Sequence, residues 1–332
     1  MIKTAICELL GIEVPIVQAP IGAASTVELV AAVSNAGGLG MLSGSWREPR
    51  ELRTLISAIQ ASTARPFGVN LGLEWEQAER LGICLEAGVP VISFFWGDPS
   101  PLVERVHDAG ALVMQTIRST DEAKRQAENG VDILVAQGWE AGGHVWGEVA
   151  TMPLIPSVVD AVGSVPVIAA GGIGDGRGMA AALALGAQGV WLGTRFLAST
   201  ESAAHDVYKD AVIAADESQT VYTTLFDGGW RAPHRVLRNS TYRTWEAAGR
   251  PSPGERPGEG EKVATNPDGS AVRRYDDAKP VVGVAGDVES LSLYAGQSVG
   301  LVHDVRPAAQ IVAEVASEAE RSLREALARF PD

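Results

Sequence analysis

Cysteine is scarce in the 332 residues: Cys7 and Cys84 are the only two. Two thiols cannot make a disulfide framework or a four-thiolate metal site. Both lie in apolar stretches and read as small core residues. Basic residues are also in deficit, with 27 Lys and Arg against 41 Asp and Glu, a formal net charge of −14. That balance excludes nucleic acid or an anionic membrane surface as the main target. No apolar run approaches the roughly 18 residues of a membrane span. The opening stretch MIKTAICELLGIEVP lacks a cationic start, a long apolar core and a small-residue cleavage site. A soluble protein of a reducing, cytoplasmic compartment is the expectation. Hydrophobic residues at 46% and charged residues at 20% exclude wholesale disorder.

Glycine is plentiful, at 37 residues, and its placement is periodic. From residue 15 to about 215 a short β-branched run is followed by a polar loop, an amphipathic Ala/Glu-rich stretch and a Gly-containing turn. Strands are predicted at Ile16–Ala19, Leu39–Leu42, Phe67–Asn70, Val91–Phe94, Leu112–Gln115, Ile133–Ala136, Val167–Ala170 and Val190–Leu192. They are almost wholly apolar, as parallel strands buried on both faces are. Helices follow each, ending at Gly37, Gly88, Gly110, Gly130, Gly163 and Gly186 as left-handed caps. Eight such units predict an α/β fold, a (β/α)₈ TIM barrel, with a doubly wound open sheet as competitor.

The rhythm stops near residue 220. The expected organisation is a barrel over 1–220, completed by a closing helix within 300–332, and an inserted cap over 221–299. Residues 249–268 are rich in proline and glycine and read as a flexible loop. Arg231, Arg235, Arg238 and Arg243 cluster in the cap with Trp230, Tyr242 and Trp245. One reading is a solvated basic face. The other has one arginine pointing into the barrel mouth to draw in an anionic substrate.

In a barrel the chemistry belongs at the C-terminal strand ends. Those loops hold amides, glycines and hydroxyls. No paired acids suit a glycosidase, and no His/Asp/Glu set has metal-ligand spacing, so no metal is expected. GGIGDG at 171–176 and Gly193-Thr194 follow the last two strands. Glycine lets backbone N–H groups approach a phosphate, and a following helix N-terminus adds its dipole. The alternative is a plain strand-to-helix turn. Gln18, Asn70, Gln115 and Gln137 end four strands and would face the mouth, where amides suit the edge of a flat heterocycle. Together these features suggest a phosphorylated heterocycle, FMN rather than a sugar phosphate. His144, after Gly142-Gly143, is the one histidine placed for general base work near pH 7. Anchoring its loop is the plainer alternative. Glu140 could orient it or cap the next helix.

The segments PIVQAPIG, AVSNAGGLGMLSG, RPFGVNL, VISFFWGDP, QGWEAGGHVWG, PVIAAGGIGDGRG and WLGTRF resemble the nitronate monooxygenase family, formerly 2-nitropropane dioxygenases. The likeness spans about residues 10–215 and extends to LYAGQSVGL. It implies a TIM-barrel flavoprotein with noncovalent FMN. The ring would meet Ala19, Pro20, Ile21 and Asn70, with Gln115, Gln137, Gly142 and Gly143 completing the contacts. The phosphate would rest on Gly171, Gly172, Gly193 and Thr194. His144 matches the family's catalytic histidine. The implied reaction takes an alkyl nitronate and O₂ to a carbonyl compound and nitrite. The implied partners are thus a small anionic or nitro-bearing substrate and O₂, with a homodimer as the candidate assembly. NAD(P)H-dependent reduction of quinones or enoyl thioesters is the alternative, since similar sequences do this. Three departures stand out: Ile21 where many relatives have Met, Ser93-Phe94-Phe95-Trp96-Gly97 in place of SFHFG, and GGHVWG in place of GGHxG. The second removes a second active-site histidine, and together the departures make the site more aromatic.

Overall fold

The structure is a computed structural model and describes residues 2–330. Eight parallel strands form the centre: β1 (Ile16–Gln18), β2 (Gly40–Ser43), β3 (Phe67–Gly72), β4 (Val91–Phe95), β5 (Leu112–Ile117), β6 (Ile133–Gln137), β7 (Val167–Ala170) and β8 (Gly189–Leu192). Each pairs with the next, and β8 pairs with β1 through Ile16↔Val190 and Gln18↔Leu192. A bridge between Val17 and Leu39 closes the ring, with Gln18 N donating to Leu39 O at 2.9 Å. The barrel reading holds and the open sheet does not. All eight strands fall where the sequence placed them, within about two residues at the ends. The six cap glycines all take positive φ.

Side chains alternate between two apolar layers, as a closed barrel demands. Ile16, Leu42, Val69 and Leu134 face the surrounding helices. Val17, Met41, Met114 and Ile168 fill the interior, where Ile6 and Leu10 from the helix Ala5–Leu10 plug the lower end. Gln18 is fully buried in the β1–β2 seam: its Oε1 accepts from Met41 N at 3.0 Å. The amide read as facing the mouth instead stitches the seam.

The chain after β8 continues through a helix, Asp206–Ala214, into an antiparallel pair, β9 (Thr220–Thr223) and β10 (His234–Leu237). The outer edge of β10 pairs with the two-residue strand Gly143–His144, which leaves the loop after β6. Within the stretch read as a loop, Lys262–Thr265 is a strand, paired with Ala271–Arg273 and Ala285–Gly286. The closing helix runs over Ala308–Leu327. It sets Ile311, Val312 and Val315 against the barrel's outer apolar layer, each worth roughly 1.5–3 kcal/mol of burial.

Candidate active site

A cavity with about 1230 Å³ of space, partly open to solvent, lies over the C-terminal strand ends. Ala19, Pro20, Ile21, Asn70, Gln137, Gly142, Gly143, Gly171, Gly172, Gly193, Thr194 and His144 all line it. Gln115, expected among them, does not. It lies buried under the mouth, with Nε2 donating to Thr116 O at 3.1 Å and Oε1 without a partner among the described residues. Gln137 Oε1 is likewise buried and unpaired, while its Nε2 donates to His144 O at 3.3 Å. Buried polar atoms are nearly always satisfied, so such acceptors near a cavity suit a ligand with N–H groups.

At one end the wall is backbone. Gly171 and Gly172 take φ of 96° and 70° in succession, so the chain after β7 turns in a conformation few side chains tolerate. The following helix, Gly176–Ala184, does not offer its N-terminus to a ligand, contrary to expectation. Asp175 Oδ1 accepts from Gly178 N at 3.0 Å, and Glu318 Oε2 accepts from Gly176 N at 2.8 Å. Two of the protein's own carboxylates already cap it. An anion at this end is left with the glycine turns and the uncapped start of the short helix Thr194–Leu197.

Gly142 and Gly296 let two loops touch. A Cβ on Gly142 would lie 2.4 Å from Gly296 N, and Gln297 N donates to Glu140 O at 2.9 Å. Gly296 N in turn donates to Thr194 Oγ1 at 3.0 Å, so residues 294–298 are tied to the strand-eight turn. Glu140 does not orient His144. Its carboxylate accepts from Thr151 N at 2.9 Å and Thr151 Oγ1 at 2.9 Å, capping the helix Thr151–Val162.

At the other end the wall is side chain, much of it from residues 230–294. His144 is buried, and its Nε2 stands 3.4 Å from Asp277 Oδ2, at ion-pair distance but not in hydrogen-bond geometry. Tyr294 donates its hydroxyl to Asp277 Oδ1, and the Trp230 ring lies 3.9 Å from the imidazole at 34°. Burial pushes the His144 pKa down, against the pull of Asp277, so the imidazole is neutral. Burial alone would raise the Asp277 carboxyl, but His144, Lys279 and Tyr294 together hold it well below the usual range. Burial and the adjacent charge push Tyr294 up, so it keeps its proton and donates. The result is a neutral base next to a fixed carboxylate.

None of the four clustered arginines lines the cavity. Arg235 is buried under Trp139, 4.4 Å from the ring, and donates to Trp139 O. Arg238 lies 5.4 Å from the Tyr242 ring and Arg243 donates to Arg238 O, while Arg231 is exposed. The reading of one arginine as the substrate's cation fails; the cation at the mouth is Lys279. Asp277, Lys279 and Tyr294 were missed. Tyr294 falls in LYAGQSVGL, which the resemblance reached, but DDAKP carries no local signal for its role.

Comparison with known proteins decides the family. The nitronate monooxygenase model matches residues 3–80 and 72–318. The chain belongs to the nitronate monooxygenase family. It is an oxidoreductase family by its relatives' names. This family member is 42% identical over 252 residues to (3aS,4S,5R,7aS)-5-hydroxy-7a-methyl-1-oxo-octahydro-1H-indene-4-carboxyl-CoA dehydrogenase of Mycobacterium tuberculosis, which covers 75% of this chain and 70% of that one. It superposes on FabK of Thermotoga maritima with a TM-score of 0.86 at 36% identity, over 99% of this chain and all of the other. Nitroalkane oxidase of Streptomyces ansochromogenes gives 0.79 at 29%, over 98% of this chain and all of the other. Among the described residues no helix is long and apolar enough to cross a membrane.

Proposed function

We propose that this member of the family oxidises alkyl nitronates with O₂ to a carbonyl compound and nitrite, using FMN. The observation that carries the reading is the neutral, buried His144 held beside Asp277 over a cavity whose far end is two glycine turns. Gly171, Gly172, Gly193 and Thr194 would hold the phosphate, and the unpaired acceptor Gln137 Oε1 would serve the ring edge. When bound, FMN supplies the electron transfer that no side chain here can perform. Where the substrate arrives as the neutral nitroalkane, His144 takes its α-proton and so forms the nitronate; towards the nitronate itself, which has no such proton, His144 meets the developing charge. Asp277 stabilises the imidazolium that results, and Tyr294 fixes the carboxylate. Trp230 covers the imidazole and keeps water off it. Segment 221–299 acts as the cap, since it supplies three of these groups.

A second reading is NAD(P)H-dependent reduction of quinones or enoyl thioesters. It is favoured by the 42% identical relative, whose name specifies a carboxyl-CoA compound. Anaerobic mixing separates the two. Nitronates should bleach the bound flavin and NADH or NADPH should not; rapid bleaching by a nicotinamide with none by nitronates would overturn the proposal. His144→Asn should keep its flavin and lose about 10²–10⁴-fold in the rate of bleaching by a neutral nitroalkane. An unchanged rate in that variant removes the histidine from the mechanism.

A further inference from the structure

Five of the eight tryptophans in the chain meet above the cavity. They arrive on five separate loops, so no single local motif announces them. Trp75 and Trp96 pack on Trp230 at 4.8 and 4.9 Å, Trp146 packs on Trp96 at 4.4 Å, and Trp46 packs on Trp75 at 5.1 Å. Trp46 and Trp230 reach the cavity itself, and the other three brace them. Trp96 holds its place at φ 60°, a left-handed conformation that is uncommon for a bulky residue. Trp46 stays 49% exposed. An apolar rim of this kind marks a binding surface more often than a structural one.

Lys279 enters this rim. Its Nζ lies 5.0 Å from the Trp46 ring and 5.3 Å from the Tyr294 ring. Lys279 makes no ion pair within 4 Å among the described residues, although its charge acts on Asp277 nearby. The carboxylate two residues earlier, Asp277, is engaged by His144 and Tyr294. A half-buried ammonium resting on ring faces keeps its charge available to a ligand. We infer that the mouth is a subsite for anionic, ring-bearing molecules, in which Lys279 holds the negative group and Trp46 and Trp230 hold the ring. The inference rests on the proposed function only in taking this cavity as the substrate's. A nitronate conjugated to a ring fits it better than a short aliphatic one.

Binding without turnover tests this independently of the reaction. Equilibrium dialysis of the flavin-loaded protein would compare naphthalene-2-carboxylate, its neutral carboxamide, and acetate. The carboxylate should bind about tenfold more tightly than the carboxamide, a difference near 1.4 kcal/mol, and acetate should not bind measurably. Added salt should narrow the gap. Lys279→Met should abolish the preference, Lys279→Arg should keep it, and Trp46→Ala should weaken both aromatic ligands alike. Equal binding of the two by the parent protein, no binding of either, or a preference that survives Lys279→Met overturns the inference. Each of those results leaves the proposed oxidation of nitronates to stand or fall on flavin bleaching.

Discussion

The two ends of the cavity are made of different material. At the β7–β8 end the surface is main chain: Gly171, Gly172 and Gly193, on turns fixed by barrel strands on either side. At the opposite end it is side chain: His144, Trp230, Lys279 and Tyr294, carried by loops that meet through the pairing of Gly143–His144 with β10 and the contact of Gly142 with Gly296. A backbone wall can recognise only a group common to many ligands, such as a phosphate. A side-chain wall can be changed residue by residue without moving a strand.

Gly193→Leu probes the first end most severely. Gly193 has a φ of −104°, open to any residue, and a Cβ there would meet only Ala19 and Ile21 at 3.6 and 3.9 Å. The barrel should therefore fold, while the larger side chain fills the place proposed for the phosphate. Purification without flavin, with an unchanged far-ultraviolet circular dichroism spectrum, is expected. Full flavin occupancy in that variant would move the phosphate away from this turn.

Asp277→Asn probes the second end and should be milder. Flavin content should not change, because the residue lies away from the glycine turns. Loss of about tenfold in kcat is the expected scale for a group that steadies an imidazolium. The pH profile gives the sign. With His144 as the proposed neutral base for a nitroalkane, activity should fall as pH drops through its pKa. Asp277 raises that pKa against burial. Removing the charge lets burial push it further down, and the acid limb should shift to lower pH. A limb that stays in place would mean the carboxylate supports the loop and not the base. The asparagine variant keeps the shape, so a purely structural role would move neither kcat nor the limb.

The contrast between the ends also explains what could be read from the sequence. The glycine turns, and His144 after Gly142-Gly143, sit next to their own strands, so local order was enough to place them. Gln18 misled because an amide at a strand end looks the same whether it faces a ligand or stitches a seam; Met41, which decides the matter, is 23 residues away. Asp277 is further still. It meets His144 only after the chain has completed the barrel, formed β9 and β10 and returned, and nothing in DDAKP distinguishes it from a surface turn. The arginines misled for an electrostatic reason. A count of charge ignores that an Arg can be spent on an aromatic ring and a carbonyl, as Arg235 is on Trp139.

A comparison that leaves activity untouched separates two histidines paired across adjacent strands, His144 and His234, with rings 5.7 Å apart. His144 leaves Nε2 without a hydrogen bond, whereas His234 is satisfied: Nδ1 lies 2.9 Å from Ala232 O, and Nε2 accepts from Phe226 N at 3.4 Å. Those contacts require Nδ1 to carry the proton and Nε2 to be bare, so a second proton has no place to go. Burial, with the neighbouring His144, brings the His234 pKa down to about 4. In the unfolded chain it should return to roughly 6.5. The unfolded state then binds more protons below pH 6.5, so stability falls as pH drops from 6.5 towards 4 and is complete above 6.5. At 1.36 kcal/mol for each pH unit between the two values, the loss attributable to this residue approaches about 3 kcal/mol. His144, also depressed, adds in the same direction. Denaturant melts of the parent and of His234→Gln between pH 4 and 8 isolate one from the other. Glutamine can donate to Ala232 O and accept from Phe226 N but cannot titrate, so its stability should fall less steeply across that window. Flavin bleaching by substrate at pH 8 should be unchanged. If the two melts run parallel, the acid sensitivity lies elsewhere, and His234 is not the histidine that burial holds neutral.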